Sequence, residues 1–212
     1  MLFRSISREP QILIVHTHAT EAYCQSPDAR STDTNENVVH IGSILAKTLQ
    51  ENGINALHDE TLIDAMGYYD AYAHAAEVIE SYLSEYPSIR MVIDVHRDSV
   101  ADSSGAQIAL RTQIDGQPAA QLMLVMGTDR GGHYHPNWEE NLAFALKLQA
   151  VCEGKSPGIF RDLTLRAQRY NQHLTPHSIL LEVGTAGNTL QEAENSIRFF
   201  AISLAELLYS KS

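Results

Sequence analysis

Three short stretches carry side chains suited to hydrolysis. "HTHATE" sets His16, His18 and Glu21 just after an apolar run, "DVHRDS" sets His96 and Arg97 in another, and "LLEVG" buries Glu182 in a third. A catalytic zinc usually takes three protein ligands from His, Asp and Glu and leaves one position for water. His18 and Glu21 make a His-x-x-E pair at one strand end, and His96 from a neighbouring strand completes the count. Glu182, flanked by Leu181 and Val183, then reads as the general base. Apolar burial raises a carboxyl pKa, and a metal acidifies the water whose proton the base takes. A carboxylate in such a run is costly unless it serves chemistry or meets an arginine.

The same residues have plainer readings. His16 and His18 alternate, so a regular strand points them to opposite faces and one of them is expected to ligate. His18 is the choice, being nearer the strand end and paired with Glu21, which leaves His16 as a supporting group, a substrate contact or a core histidine. Asp33, on the loop entering the first helix, competes for the carboxylate place or simply caps that helix. Arg97 offers donors to a substrate carboxylate or a developing oxyanion, unless an ion pair with Asp94 or Asp98 occupies it. A nucleophilic Cys24 lacks any supporting motif. With Cys152 as the only other cysteine, a disulfide is not implied.

These groups need elements that bring them together. Gln11 to Val15 reads as a strand buried on both faces, and Asn37 to Asn52 as a helix with Val38, Ile41, Ile44, Leu45 and Leu49 at helical spacing before Gly53. Ile54 to Glu60 is a second strand, Asp70 to Pro87 a second helix, and "IRMVIDVHRDS" a third strand. Between Ala106 and Gly127, two β-like runs flank the turn signal "IDGQP", so an antiparallel hairpin precedes "LMLVMGT" and makes the sheet mixed. "NWEENLAFALKLQAVCEG" is a helix, "SILLEVG" a buried strand and "TLQEAENSIRFFAISLAELLYS" a final helix. The expected fold is α/β, a single domain whose mixed, mostly parallel central sheet is covered by helices on both faces. In such sheets ligands bind at the C-terminal strand ends, where His18, Glu21, His96 and Glu182 are expected to converge.

Composition narrows the functions. A chain of 212 residues, 44% hydrophobic and 19% charged, fits one domain, taken as an N-terminal extension over 1–11 and a catalytic domain over 12–212. A net charge of −11 argues against nucleic acid, which needs a basic surface. "MLFRSISREP" has no long apolar core, so neither signal peptide nor membrane anchor is expected in this chain.

With "HTHATEAY", "NVVHIG", "DVHRDS", "VMGT", "RYNQHL" and "LLEVGTAGNTLQEA" in order from about Ile12 to Glu194, the sequence resembles the stage II sporulation protein P family. These are peptidoglycan hydrolases related to zinc-dependent N-acetylmuramoyl-L-alanine amidases. The resemblance implies a zinc amidase-like fold and cleavage of the bond between N-acetylmuramic acid and L-alanine during engulfment, with endopeptidase action on cross-links as an addition. It places zinc ligands at His18 and His96 and the catalytic glutamate at Glu182. The family's "HT-x-x-x-E" pattern points to Glu21 as the carboxylate, whereas other zinc amidases place a Glu where this chain has Asp33 and Glu36. Tyr170, Asn171 and Gln172 join the substrate side through the same resemblance, since a polar triplet is otherwise an ordinary loop. It further implies extracytoplasmic action at the cell wall and a stage II sporulation protein D-like lytic enzyme as partner. A zinc carboxypeptidase-like peptidase and a non-catalytic wall-binding module are the rival readings, and a buried base such as Glu182 argues against the second.

Overall fold

The computed structural model describes residues 9–65 and 67–209, so the expected N-terminal extension lies outside the described residues up to Arg8. The alternating apolar residues of the parallel strands sort onto two faces and thereby divide the molecule into layers. Ile12 and Ile14 of β1 (Ile12–Val15) join Met91, Ile93 and Val95 of β3 (Met91–Asp98) and Ile179, Leu181 and Val183 of β8 (Ile179–Thr185) in the main core. That core is closed by α1 (Val38–Glu51), α3 (Trp138–Lys155) and α4 (Leu190–Tyr209). Leu13, Val15 and Val92 point the other way, against Ile79 of α2 (Ala71–Glu85).

The sheet runs in the order β2-β1-β3-β8-β6-β7, with β2 at Ala56–His58, β6 at Leu122–Gly127 and β7 at Thr164–Arg166. β2, β1, β3 and β8 are parallel, and β6 runs antiparallel to β8, which gives the mixed sheet expected from the sequence. β7 was not anticipated: it is three residues long, largely exposed and has no apolar run to announce it. The hairpin β4 (Arg111–Ile114) and β5 (Gln117–Ala120) forms a separate two-stranded sheet. Its turn, Asp115-Gly116, has φ of 50° and 79°, the left-handed pair that a two-residue hairpin requires.

Helices therefore cover both faces, but unequally. Three close the first face across its width, whereas α2 covers β1 and β3 and leaves the open face of β8, β6 and β7 bare. The side chains of His18, Glu21, His96 and Glu182 gather on this bare half. No helix among the described residues is long and apolar enough to cross a membrane.

Candidate active site

Two carboxylate clamps shape the turn that follows β1. Thr17 donates its N–H and hydroxyl to Asp94 at 2.9 and 2.6 Å, and Thr20 does the same to Asp64 at 2.9 and 2.7 Å. The chain is thereby bent away from the strand, and the N–H of Glu21 closes the turn onto the carbonyl of His18 at 3.0 Å. This bend brings His18 and Glu21 over the open face, beside His96 of β3 and Glu182 of β8, which are register partners on adjacent strands.

The four side chains line one groove of about 360 Å³, together with Tyr72, Asp98, Met123, Arg166, Gln168 and Tyr170. The ring of His18 stacks on Tyr68 at 4.7 Å and meets His96 edge-on at 5.5 Å. Its Nδ1 is buried without a hydrogen-bond partner. Burial, then the neighbouring His96, lowers its pKa and favours the neutral imidazole that ligates metals. His96 Nδ1 stands 3.3 Å from Glu21 Oε2, and its Nε2 stands 2.9 Å from Asp94 Oδ1. Burial lowers the pKa of His96, but the carboxylates of Asp94 and Glu21 outweigh it and raise the imidazole well above its ordinary value. Burial also pushes up the carboxyl of Glu21, yet His96 and then Arg97 hold it below its usual range.

Glu182 differs from these paired groups. Its Oε2 is buried with no hydrogen-bond partner, and burial pushes the carboxyl up to about 8. His96 opposes that rise, while Glu21 and Asp98 add to it. A carboxyl near neutrality in a groove is suited to exchanging protons with a substrate.

Several expected contacts fall elsewhere. His16 is fully buried on the helix-covered face, with Nδ1 3.0 Å from the Val95 carbonyl and Nε2 2.8 Å from His58 Nε2, so it cannot touch substrate from there. Arg97 is also turned away from the groove. It donates to the carbonyls of Ala22 and Ala29 at 2.8 Å each, and NH1 lies 3.7 Å from Glu21 Oε1, so it braces Glu21 and the following loop instead of facing Asp94, Asp98 or a substrate. Asp33 is exposed and accepts from the N–H and side chain of Asn35 in a local turn before α1. Cys24 and Cys152 are both free thiols and form no bridge. Cys24 lines a separate recess with Arg97 and Gly187.

The "YNQ" triplet splits by role. Gln172 is buried, and its amide bonds the N–H of Gly127 and the carbonyl of Val125 at 2.9 Å each, a side-chain substitute for a strand neighbour. It supports the groove without contacting its interior. Asn171 ties to the Tyr72 carbonyl at 2.8 Å, and Tyr170 projects into the groove. Tyr170 and Asn171 have φ of 49° and 57°, a region that costs a non-glycine residue about 1–3 kcal/mol and is held here by those amide bonds. Sequence reasoning missed Tyr68, Tyr72, Arg166 and Gln168, which no motif connects to the histidines.

Among the described residues, no group of three or more His, Cys, Asp or Glu stands ready as a metal-holding cluster. The residue types are nonetheless those a zinc takes: with Nε2 of His96 beside Asp94, its Nδ1 faces Glu21 and becomes a ligand atom once its proton is lost. His18, Glu21 and His96 share the groove, and the buried Nδ1 of His18 makes no hydrogen bond, its nearest acid being Asp64 Oδ2 at 3.9 Å.

Three solved N-acetylmuramoyl-L-alanine amidases share the fold at low identity. AmiC2 of Nostoc punctiforme has a TM-score of 0.60 at 15% identity, covering 96% of this chain and 99% of the amidase. An amidase of Clostridium difficile 630 has 0.59 at 13%, covering 97% and 100%. The catalytic domain of CwlV from Bacillus (Paenibacillus) polymyxa var. colistinus has 0.56 at 14%, covering 95% and 99%. Stage II sporulation protein P of Bacillus subtilis (strain 168) is 26% identical over 215 residues, which cover 93% of this chain and 51% of that protein. The chain thus spans about half the length of that curated relative. The model of the family described as stage II sporulation protein P (SpoIIP) matches residues 4–205, and the chain belongs to that family.

Proposed function

We propose that this chain is a zinc-dependent peptidoglycan hydrolase of sporulation, acting outside the cytoplasm on the amide between N-acetylmuramic acid and L-alanine. The observation that carries this reading is the unpartnered, burial-raised Glu182 in one groove with His18, Glu21 and His96. Those three side chains would hold the zinc. Bound there, zinc would supply the Lewis acidity that activates water and polarises the amide carbonyl.

The remaining work falls to the chain's own groups. Glu182 takes a proton from the attacking water at Oε2 and returns it to the amide nitrogen of the leaving peptide, a transfer suited to a carboxyl near neutrality. Asp94 and Glu21 flank His96 and fix its ring, while Arg97 holds Glu21 by its main-chain N–H at 3.1 Å. Tyr72 and Tyr170 form a wall beside the reacting amide, their rings 5.5 Å apart. Cleavage of peptide cross-links and cooperation with a stage II sporulation protein D-like lytic enzyme belong to the same proposal and rest on family membership.

The test is digestion of purified peptidoglycan followed by mass spectrometry. Free peptides beginning with L-alanine, absent after chelation and restored by zinc, are the expected products. Release of terminal amino acids alone would identify a carboxypeptidase-like enzyme, and intact wall would leave a binding module.

A further inference from the structure

Among the described residues, the arginines of this acidic chain fall into two groups. Arg30, Arg97, Arg111, Arg161 and Arg198 each meet a carboxylate of the protein. Arg90, Arg130, Arg166 and Arg169 enter no ion pair among the described residues, and Arg90 lies at the far end of β3 from His96. Arg166 therefore stands on the groove and Arg169 on a recess beside it, each without a neutralising carboxylate, in a chain whose net charge is −11.

Their placement is built. The segment from Arg166 to Gln172 lies against β6 so closely that a Cβ at Gly127 would come within 2.5 Å of the Gln168 carbonyl and 2.8 Å of the Arg169 carbonyl. Thr128 also bonds the Arg166 carbonyl at 2.9 Å. Arg169 donates to the Tyr134 carbonyl at 2.9 Å, a neutral acceptor that leaves its charge unbalanced. Beside the catalytic groove, and sharing Tyr72, Gln168 and Tyr170 with it, lies a recess of about 300 Å³ completed by His133, Arg169 and Asn171. Glu182 pairs with Met123 of β6, and Arg166 pairs with Gly127. Four residues along a strand separate these points, about 13 Å.

We infer that Arg166 and Arg169, with the tyrosine-walled recess between them, form the subsite for the released peptide and bind its free carboxylates. This rests on the amidase reading for the identity of the peptide. Before cleavage the sugar side of the bond offers no carboxylate, because the lactyl carboxyl is tied up in the amide, and the carboxylate that hydrolysis frees there lies at the reacting centre beside Glu182, not along the strand toward Arg166. An extended peptide leaving from Glu182 covers about 13 Å in four residues, so acidic groups within its first residues come into reach of both guanidiniums. Arginine binds carboxylates through paired, charge-assisted hydrogen bonds, and neither guanidinium has to abandon a protein carboxylate to do so.

Calorimetry with a free stem peptide beginning with L-alanine and carrying two carboxylates, against the same peptide as its carboxamide, tests this without requiring turnover. The wild type should bind the acid form about tenfold more tightly, a margin suited to charge-assisted bonds. Arg166→Gln with Arg169→Gln should bind both forms alike at the carboxamide level, while Arg90→Gln keeps the preference. Equal binding of both forms by the wild type, binding of neither, or a preference retained by the double variant would overturn the inference. Wild-type protein that prefers the acid peptide but releases no L-alanine peptides from peptidoglycan would uphold the subsite and defeat the amidase reading.

Discussion

His16 and His18 are two residues apart in one stretch of chain and occupy opposite chemical worlds. His16 lies on the face closed by three helices, where both ring nitrogens have neighbours, the Val95 carbonyl and His58. His18 lies over the face left half bare by α2, with Nδ1 unpartnered and its ring stacked on an exposed tyrosine. Desolvation keeps both imidazoles toward the neutral form, but one nitrogen set is spent on the fold and the other makes no hydrogen bond at Nδ1, as the proposed ligand role requires. If the proposed function holds, the sheet's two faces divide stability from chemistry, and substitutions on each side should fail differently.

The sharpest break comes from the open face. His18→Ala and His96→Ala should lose bound zinc and leave turnover at background; His18→Ala should melt close to the zinc-free wild type, whereas His96→Ala, which leaves the buried Asp94 and Glu21 carboxylates unpaired, should also melt lower. Elemental analysis of the purified variants checks this, and full zinc occupancy in both would remove them from the ligand set. Glu182→Gln should separate the two defects: zinc and melting temperature stay, while peptidoglycan cleavage falls by about two to four orders of magnitude, the usual cost of a removed general base. Loss of zinc from that variant would instead make Glu182 a ligand.

On the closed face the corresponding break is a methyl group. Gly42 in α1 faces the His16–His58 pair, and a Cβ there would stand 2.4 Å from His16 Nε2 and 2.5 Å from His58 Nε2. Alanine normally gains about 0.5–1 kcal/mol over glycine inside a helix, whereas overpacking costs about 1–3 kcal/mol or more. With two contacts this close, overpacking wins, and Gly42→Ala should lose about 2 kcal/mol in denaturant titration while keeping zinc. Gly154→Ala in α3, where a Cβ meets nothing within 4 Å, is the control and should gain about 0.5–1 kcal/mol. A stabilised Gly42→Ala would show that the histidine pair yields easily and that the closed face is not tightly packed there.

Much of this division is legible in the sequence, and the illegible part has identifiable causes. Continuous apolar runs mark β1, β3 and β8 as strands buried on both faces, and Asn37 caps α1 by accepting from the Val39 N–H as its residue type suggests. The Asp-Gly turn announces the hairpin. His18, Glu21, His96 and Glu182 were placed near one another by strand logic, although the site lies on the face of the sheet as much as at its edge. Arg97 was misread because its partners, the carbonyls of Ala22 and Ala29, come from a loop with no pattern, and because the ladder slips between His96 and Asp98. Gln172 was misread for a similar reason: its amide serves as a strand neighbour to β6, which only the fold makes apparent. Arg166 and Tyr72 depend on β7 and on the entry angle of α2, both set by tertiary packing.

The smallest expected effect is the acid response of the closed face. Burial, then His58, depresses His16 to about 3, against about 6.5 for an exposed histidine. Between those values the unfolded chain binds a proton that the folded chain refuses, so stability rises with pH across that window. The contribution is complete above about pH 6.5 and is lost as pH falls toward 3. At pH 5.5, one unit below the unfolded value, the loss should be about 1.4 kcal/mol. His58 is depressed as well, again by burial, and deepens the slope. Urea titrations at pH 7.5 and 5.5 measure this directly, and His16→Gln, which removes the ionisable ring, should reduce the difference between the two pH values. A wild-type slope unchanged by that substitution would assign the acid sensitivity elsewhere, and His135 would be the next group to test. Its ring is buried with both nitrogens unpartnered, and burial, followed by the nearby His173, lowers it to about 4.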